Sequence, residues 1–196
     1  MDAIAFTDPP AAAAWRHRDA RTGFEVVQVS RLVDGWRLRG ATTAVEQGRA
    51  WAVGYAIDVD ERWRTRRARV SHLLDEDSAA VTVEQPERGR WLVDGRHVAG
   101  LDGCLDVDLE SSAMTNALPV HRLNLAVGDA VDAPAAYVRA DDLTVDRLEQ
   151  GYERLADAEG HQRYAYTAPA FDFTACLVYD ASGFVLEYPG LAVRHA

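Results

Sequence analysis

The chain has 196 residues, with 48% hydrophobic and 27% charged content, enough to bury one substantial core in one domain. Its 21 basic residues are all arginine, and 31 acids set a formal net charge of −10, with a sequence pI near 5.0. That charge repels phosphate backbones and anionic membranes, which excludes general nucleic-acid binding, and no apolar run approaches the roughly 20 residues of a membrane span. The stretch "MDAIAFTDPPAAAAW" has no basic region and carries Asp2 and Asp8, so a cytoplasmic protein with reduced Cys104 and Cys176 is expected.

Short alternating segments separated by Asp34-Gly35, Gln47-Gly48, Asp94-Gly95, Asp102-Gly103, Gly128-Asp129 and Ser182-Gly183 predict hairpins. The first are "TGFEVVQV" (22–29) and "GWRLRGA" (35–41). In "RAWAVGYAIDV" (49–59), Trp51, Val53, Tyr55, Ile57 and Val59 share one face, and Ala50, Ala52, Gly54 and Ala56 the other. The bulky face suits either a packed core or the wall of a cavity for an apolar ligand.

In "RWRTRRARV" (62–70), Arg62, Arg64 and Arg66 fall on one parity, and Trp63, Arg67 and Arg69 on the other. A simple half-buried strand cannot carry guanidinium groups on both faces. The segment predicts either an anion- or sugar-binding site with Trp63 as stacking platform, or a strand ion-paired to Asp58, Asp60, Glu61, Asp75, Glu76 and Asp77. Further strands are predicted in "AAVTVEQ" (79–85) and "RWLVDGRHV" (90–98).

The run "DGCLDVDLE" (102–110) alternates Asp102, Cys104, Asp106, Asp108 and Glu110 with Leu105, Val107 and Leu109. Parity predicts a strand with a polar face. Paired acids roughly 6–7 Å apart also suit general acid/base chemistry at Asp106 with Asp108 or Glu110. A calcium loop is disfavoured, since no glycine bend follows Asp108. Cys104, His121 and Cys176 lack zinc spacing, and Ser111 and Ser112 lack the glycines of a nucleophile elbow. No metal, cofactor or catalytic residue is therefore assigned.

In "TNALPVHRLNL" (115–125), Leu118, His121, Leu125 and Met114 follow helical spacing, predicting a helix over about 116–124. Asn116 is expected as its N-cap and Pro119 in its first turn. "AAYVRA" (135–140) reads as strand, and Val145, Leu148, Tyr152 and Leu155 have helical spacing. The last segment, "FDFTACLVYDASGFVLEYP" (171–189), predicts a hairpin turning at 180–183. Many short strands with close turns predict a mainly β, antiparallel fold, curled or closed to protect its edges.

The runs "LDGCLDVDL" with "TNALPVHRL", "QRYAY" and "FTACLVYDASGFVLEYPGLAVR" together resemble the putative glycolipid-binding family of bacterial proteins. "RW…DG" at 90–95 and "VDERWRTRRARV" at 59–70 fit the same pattern. The resemblance implies a spiral β-roll, an antiparallel half-barrel wrapped around one helix at about 116–124 and similar to periplasmic lipoprotein carriers. It also implies homodimers, and it turns 142–155 into strand against the periodicity. At Ser112-Ala113-Met114 the chain departs from the family's Thr-Pro-aromatic pattern.

The function expected is non-enzymatic binding of a glycolipid or other long apolar ligand inside the curled sheet. Trp51, Tyr55, Trp63, Arg64, Arg66, Asp106, Asp108, Met114 and His121 are the candidate ligand-binding residues. The alternatives are a glycoside or ester hydrolase using the acids of 102–110, and a dimerising scaffold without a small ligand, whose Arg strand meets an acidic partner.

Overall fold

The computed structural model describes residues 6–74 and 79–195; Asp75, Glu76 and Asp77, expected to flank the Arg strand, lie outside them. In chain order the strands are β1 (Ala12–His17), β2 (Thr22–Leu32), β3 (Gly35–Glu46), β4 (Arg49–Asp60), β5 (Thr65–His72), β6 (Ala80–Glu87), β7 (Arg90–Val93), β8 (Arg96–His97) and β9 (Asp106–Leu109). A helix, α1 (Ala117–Leu123), precedes β10 (Ala130–Asp132), β11 (Ala135–Val138), β12 (Val145–Leu148), β13 (Gly151–Ala158), β14 (His161–Ala168), β15 (Phe173–Tyr179), β16 (Val185–Tyr188) and β17 (Ala192–Arg194).

Fourteen strands form one curled, unclosed sheet in the order β10-β13-β14-β15-β16-β17-β1-β2-β3-β4-β5-β6-β7-β8, every pairing antiparallel. It is a meander of hairpins whose two ends of chain are joined where β1 pairs with β17. Two excursions from this sheet, one between β8 and β10 carrying β9 and α1 and one between β10 and β13 carrying β11 and β12, build an inner layer. There β9 runs parallel to β11, β12 pairs antiparallel with β11, and α1 lies beside them. All four residues of β9 and all four of β11 are buried, as expected of short strands covered on both faces. The expected mainly β half-barrel with one central helix is thus the observed architecture.

The alternation of β4 holds: Val53, Tyr55, Ile57 and Val59 are buried and face the core, with Trp51 half-buried at the strand's beginning. The two-faced arginine pattern of 62–70 has a local cause. The register of β5 slips opposite Asp58 and Val59, so that Thr65 and Arg67 pair with consecutive β4 residues. This bulge turns both Arg66 and Arg67 outward while Thr65, Ala68 and Val70 stay buried. The strand is half-buried after all, and Arg66 and Arg67 pair on the surface with Asp34 (2.5 Å) and Glu84 (3.4 Å).

Three other expectations change in detail. The helix spans Ala117–Leu123, and Asn116 is itself helical and makes no capping bond; its Oδ1 accepts the Tyr152 hydroxyl at 2.9 Å instead. Pro119 does fall in the first turn. The helical spacing of 145–155 is overturned, since β12 and β13 are strands of different sheets, separated by Glu149 and Gln150. The family likeness anticipated that outcome. The run 102–110 is not a strand with a solvated polar face, because Asp102 and Gly103 form a turn and Asp106 and Asp108 are buried in β9.

Candidate functional site

Each buried acid contacting the inner layer has its own arrangement. Glu25, on β2, is fully buried and accepts the Tyr55 hydroxyl (2.6 Å), the Ser112 hydroxyl and the N–H groups of Ala113 (2.7 Å) and Met114 (3.4 Å). Burial pushes its carboxyl up, and these donors oppose the shift. Tyr55 reaches Glu25 because position 40 is glycine; a Cβ there would lie 2.4 Å from the phenol ring and hydroxyl. Ser112 and Tyr55 therefore fasten β2 and β4 to the segment leading into α1.

Asp106 is also fully buried, but it is paired. Arg122 of α1 donates Nε and Nη2 to its carboxylate in a fork, with contacts of 2.6–3.1 Å. This ion pair ties the helix to β9. Two residues on, Asp108 is 8% exposed and accepts the Thr115 hydroxyl at 2.7 Å. Burial raises its pKa to about 6, with Asp106 and Glu110 adding repulsion against the Thr115 and Leu109 donors.

Asp108 lines a half-open pocket of about 240 Å³ between the inner layer and the β14–β16 part of the sheet. The walls are largely aromatic: Tyr137 and Phe171 lie 5.7 Å apart by ring centroid, and Tyr166, Phe173 and Tyr188 are mutually 5.8–6.1 Å apart. Neighbouring rings meet at 51–75°, so both faces and edges wall the cavity. Glu46, Glu110, Arg21, Ser112 and Asn116 complete the polar lining. Burial first, then the neighbouring carboxylates, holds the Tyr137, Tyr166 and Tyr188 phenols well above their usual pKa.

A second, more polar groove of about 300 Å³ shares Glu46 and Glu110 with the first and is lined by Trp51, Arg49, His72, Leu74 and Arg139. Arg21 stands between the two. Its guanidinium lies 5.2 Å from the Trp51 ring centroid and donates to the Glu110 carbonyl (3.0 Å) and to His17 Nδ1 (3.4 Å). An aromatic pocket is thus joined to a charged groove with an indole at its side.

Of the nine residues nominated from sequence, Asp108 and Trp51 line this bipartite cleft. Tyr55, Asp106 and Met114 are buried in the packing just described. Trp63 and His121 form a separate cluster. An Asx-type turn, in which Asp60 Oδ1 accepts the N–H groups of Arg62 and Arg64, holds Trp63 at φ 60°, and its ring stacks on His121 at 3.7 Å and 10°. Phe184 meets both rings edge-on, and burial lowers the His121 pKa to about 4. Arg64 is half-buried beside this turn, and Arg66 is on the outer surface. Arg21, Glu46, Tyr137, Tyr166, Phe173 and Tyr188 escaped the sequence reading. Tyr164 and Tyr166 in "QRYAY" share a parity, but parity alone does not separate a cavity wall from a packed ring.

Among the described residues, no three His, Cys, Asp or Glu side chains converge as a metal site, and no helix is long and apolar enough to cross a membrane. A family model described as "Putative glycolipid-binding" matches residues 12–194. The fold is similar to the crystal structure of a DUF1089 family protein from Pseudomonas aeruginosa, with 28% identity over 96% of this chain and 95% of that one and a TM-score of 0.76. No curated protein matches the chain.

Proposed function

From its membership of the Putative glycolipid-binding family, we propose that this chain is a non-enzymatic binding protein for a glycolipid or similarly amphipathic molecule, held in the bipartite cleft. The observation that carries this reading is the junction of an aromatic pocket with a charged groove at Glu46 and Glu110. A sugar ring has apolar faces that suit aromatic walls and hydroxyls that suit carboxylate acceptors, while apolar parts of the ligand gain about 0.8 kcal/mol per CH₂ buried. Trp51 and Asp108 carry the sequence-nominated part of the site. The β4 side of the roll is packed against core residues, which favours the cleft over the roll's interior as the place of binding.

Native mass spectrometry of the protein purified from cells, followed by titration with an alkyl glucoside below its micellar concentration, tests the reading. A retained amphiphile, or saturable binding weakened by Tyr188→Ala, supports it. A protein that retains nothing and ignores the glycoside removes it. The homodimer and the cytoplasmic location belong to the same proposal, and sedimentation velocity and cell fractionation test them.

The hydrolase alternative narrows to Asp108 and Glu110, because they share the pocket whereas Asp106 is locked to Arg122. Turnover of a chromogenic glycoside that disappears in Asp108→Asn would replace binding with catalysis.

A further inference from the structure

Asp106 and Asp108 sit two residues apart on β9 with nearly equal burial, yet they are treated differently. Asp106 has a guanidinium fork. Asp108 has a hydroxyl from Thr115 and the Leu109 N–H, and the charges bearing on it, Asp106 and Glu110, are both negative. Arg21, the cation in the same pocket lining, is occupied by His17, the Glu110 carbonyl and the Trp51 ring. A buried carboxylate normally has a cation or a full set of donors, because its desolvation is otherwise uncompensated. Here it faces an open cavity walled by tyrosine rings, and an aromatic wall next to a carboxylate is the arrangement that holds an organic cation.

We infer that the pocket takes a ligand headgroup bearing an ammonium, from an amino sugar or a quaternary amine, with Asp108 as its counter-ion and Tyr137, Tyr166 and Tyr188 as its aromatic wall. This deepens the binding proposal above and rests on the cleft being the binding site. An anionic headgroup would meet three carboxylates, Glu46, Asp108 and Glu110, against one engaged arginine. A divalent metal is disfavoured, since no three ligating side chains converge among the described residues.

Ammonium binding at Asp108 carries a pH signature. Burial sets Asp108 to titrate at about 6, so lowering the pH below that value protonates it and removes the charge that attracts the ammonium. The charged groups around it are Asp106, fixed by Arg122, and Glu110, with Glu46 and Arg21 in the same pocket lining. The phenols near it, Tyr137 of β11, Tyr152 of β13, Tyr166 of β14, Tyr179 of β15 and Tyr188 of β16, are all raised by burial and stay protonated across this range.

The test is calorimetric or NMR titration of the full chain with two cation–isostere pairs. Choline is compared with 3,3-dimethylbutanol, and methyl glucosaminide with methyl glucoside. At pH 7.5 at least one cation binds about tenfold tighter than its neutral isostere, a difference of about 1.4 kcal/mol. The stronger pair distinguishes the quaternary from the amino-sugar source. The preference falls to about twofold or less at pH 5, and likewise in Asp108→Asn at pH 7.5. Equal binding of cation and isostere overturns the ammonium assignment and leaves the amphiphile reading intact. If none of the four probes binds while the alkyl glucoside does, the ammonium assignment again fails alone; if the glucoside is also ignored, both fail. Should Asp108→Asn not fold, the pH dependence of the unmodified protein decides, and a preference unchanged between pH 7.5 and pH 5 overturns the assignment.

Discussion

Two aromatic clusters lie within this roll, and they are built for opposite ends. In the first, Trp63, His121 and Phe184 pack ring against ring with Trp15 and Trp36 near by, and burial keeps the imidazole neutral. In the second, Tyr137, Phe171, Tyr166, Phe173 and Tyr188 leave a cavity between them, with a carboxylate set into its wall. The first holds the Asp60–Arg64 turn against α1; the second has the same kind of apolar surface but does not close on itself. Aromatic content therefore marks neither core nor site, and the deciding feature is whether the polar group among the rings is neutral and enclosed or ionisable and facing a void.

The largest expected effect tests whether the first cluster is purely structural. Trp63→Ala removes a 7%-exposed ring together with its stack on His121 and is expected to cost about 3–5 kcal/mol of unfolding free energy. Phe173→Ala, at the half-buried pocket wall, should cost about 1–2 kcal/mol. Urea denaturation of both variants measures the gap. Equal losses would mean that the pocket rings carry as much of the fold as the packed ones, and that the two clusters do not differ in kind.

A second, smaller difference has opposite signs in the two clusters. The folded-state pKa of His121 is lowered from 6.5 to about 4, so the unfolded chain takes up this proton first as pH falls. Its contribution is complete above about pH 6.5 and is lost on acidification toward pH 4; His17, also lowered to about 4, acts in the same direction. Asp108 is raised from 3.8 to about 6, so between those values the folded chain holds the extra proton. Its contribution is therefore greatest below pH 3.8 and declines as pH rises to about 6. Asp108→Asn should accordingly stabilise the protein by about 1–3 kcal/mol at pH 8, allowing for imperfect desolvation, with the gain vanishing near pH 4. His121→Phe should flatten the opposite slope. An Asp108→Asn variant no more stable than the parent at pH 8 would show that Thr115 and Leu109 fully satisfy the carboxylate.

What the sequence conveyed depended on how local the signal was. The alternation of β4, the hairpins and the helix around Leu118 and His121 arise within a few residues and were legible there. The Arg66–Arg67 bulge was not, because a register slip depends on the facing strand as well as on "RWRTRRARV". The helical spacing of Val145, Leu148, Tyr152 and Leu155 misled for a related reason. A break at Glu149 and Gln150 passes the chain from one sheet to another, so residues four apart are buried by different partners. Parity put Asp106 and Asp108 on one face, but it could not tell that α1 would supply Arg122 to the first and nothing charged to the second. The cleft joins the β1–β2 turn, β9, β11, β14 and β16, and such convergence has no trace in spacing.

The smallest effect concerns the arginines that the sequence placed among the candidate ligands. Arg66 lies on the outer face of β5, paired with exposed Asp34, and lines neither part of the cleft. An exposed pair of this kind gives up hydration and side-chain freedom for a weak attraction screened by salt. Arg66→Ala should therefore leave the denaturation midpoint within experimental error and the affinity for the alkyl glucoside unchanged. Arg21→Ala, by contrast, withdraws the guanidinium that joins Trp51 to the Glu110 carbonyl, and should weaken binding severalfold while altering stability only modestly. Titrating both variants side by side turns the difference between the clusters into one between an arginine inside the cleft and one outside it. If Arg66→Ala weakened binding as much as Arg21→Ala, the ligand would have to extend over the outer face of the sheet, because Arg66 is exposed there and lines neither part of the cleft.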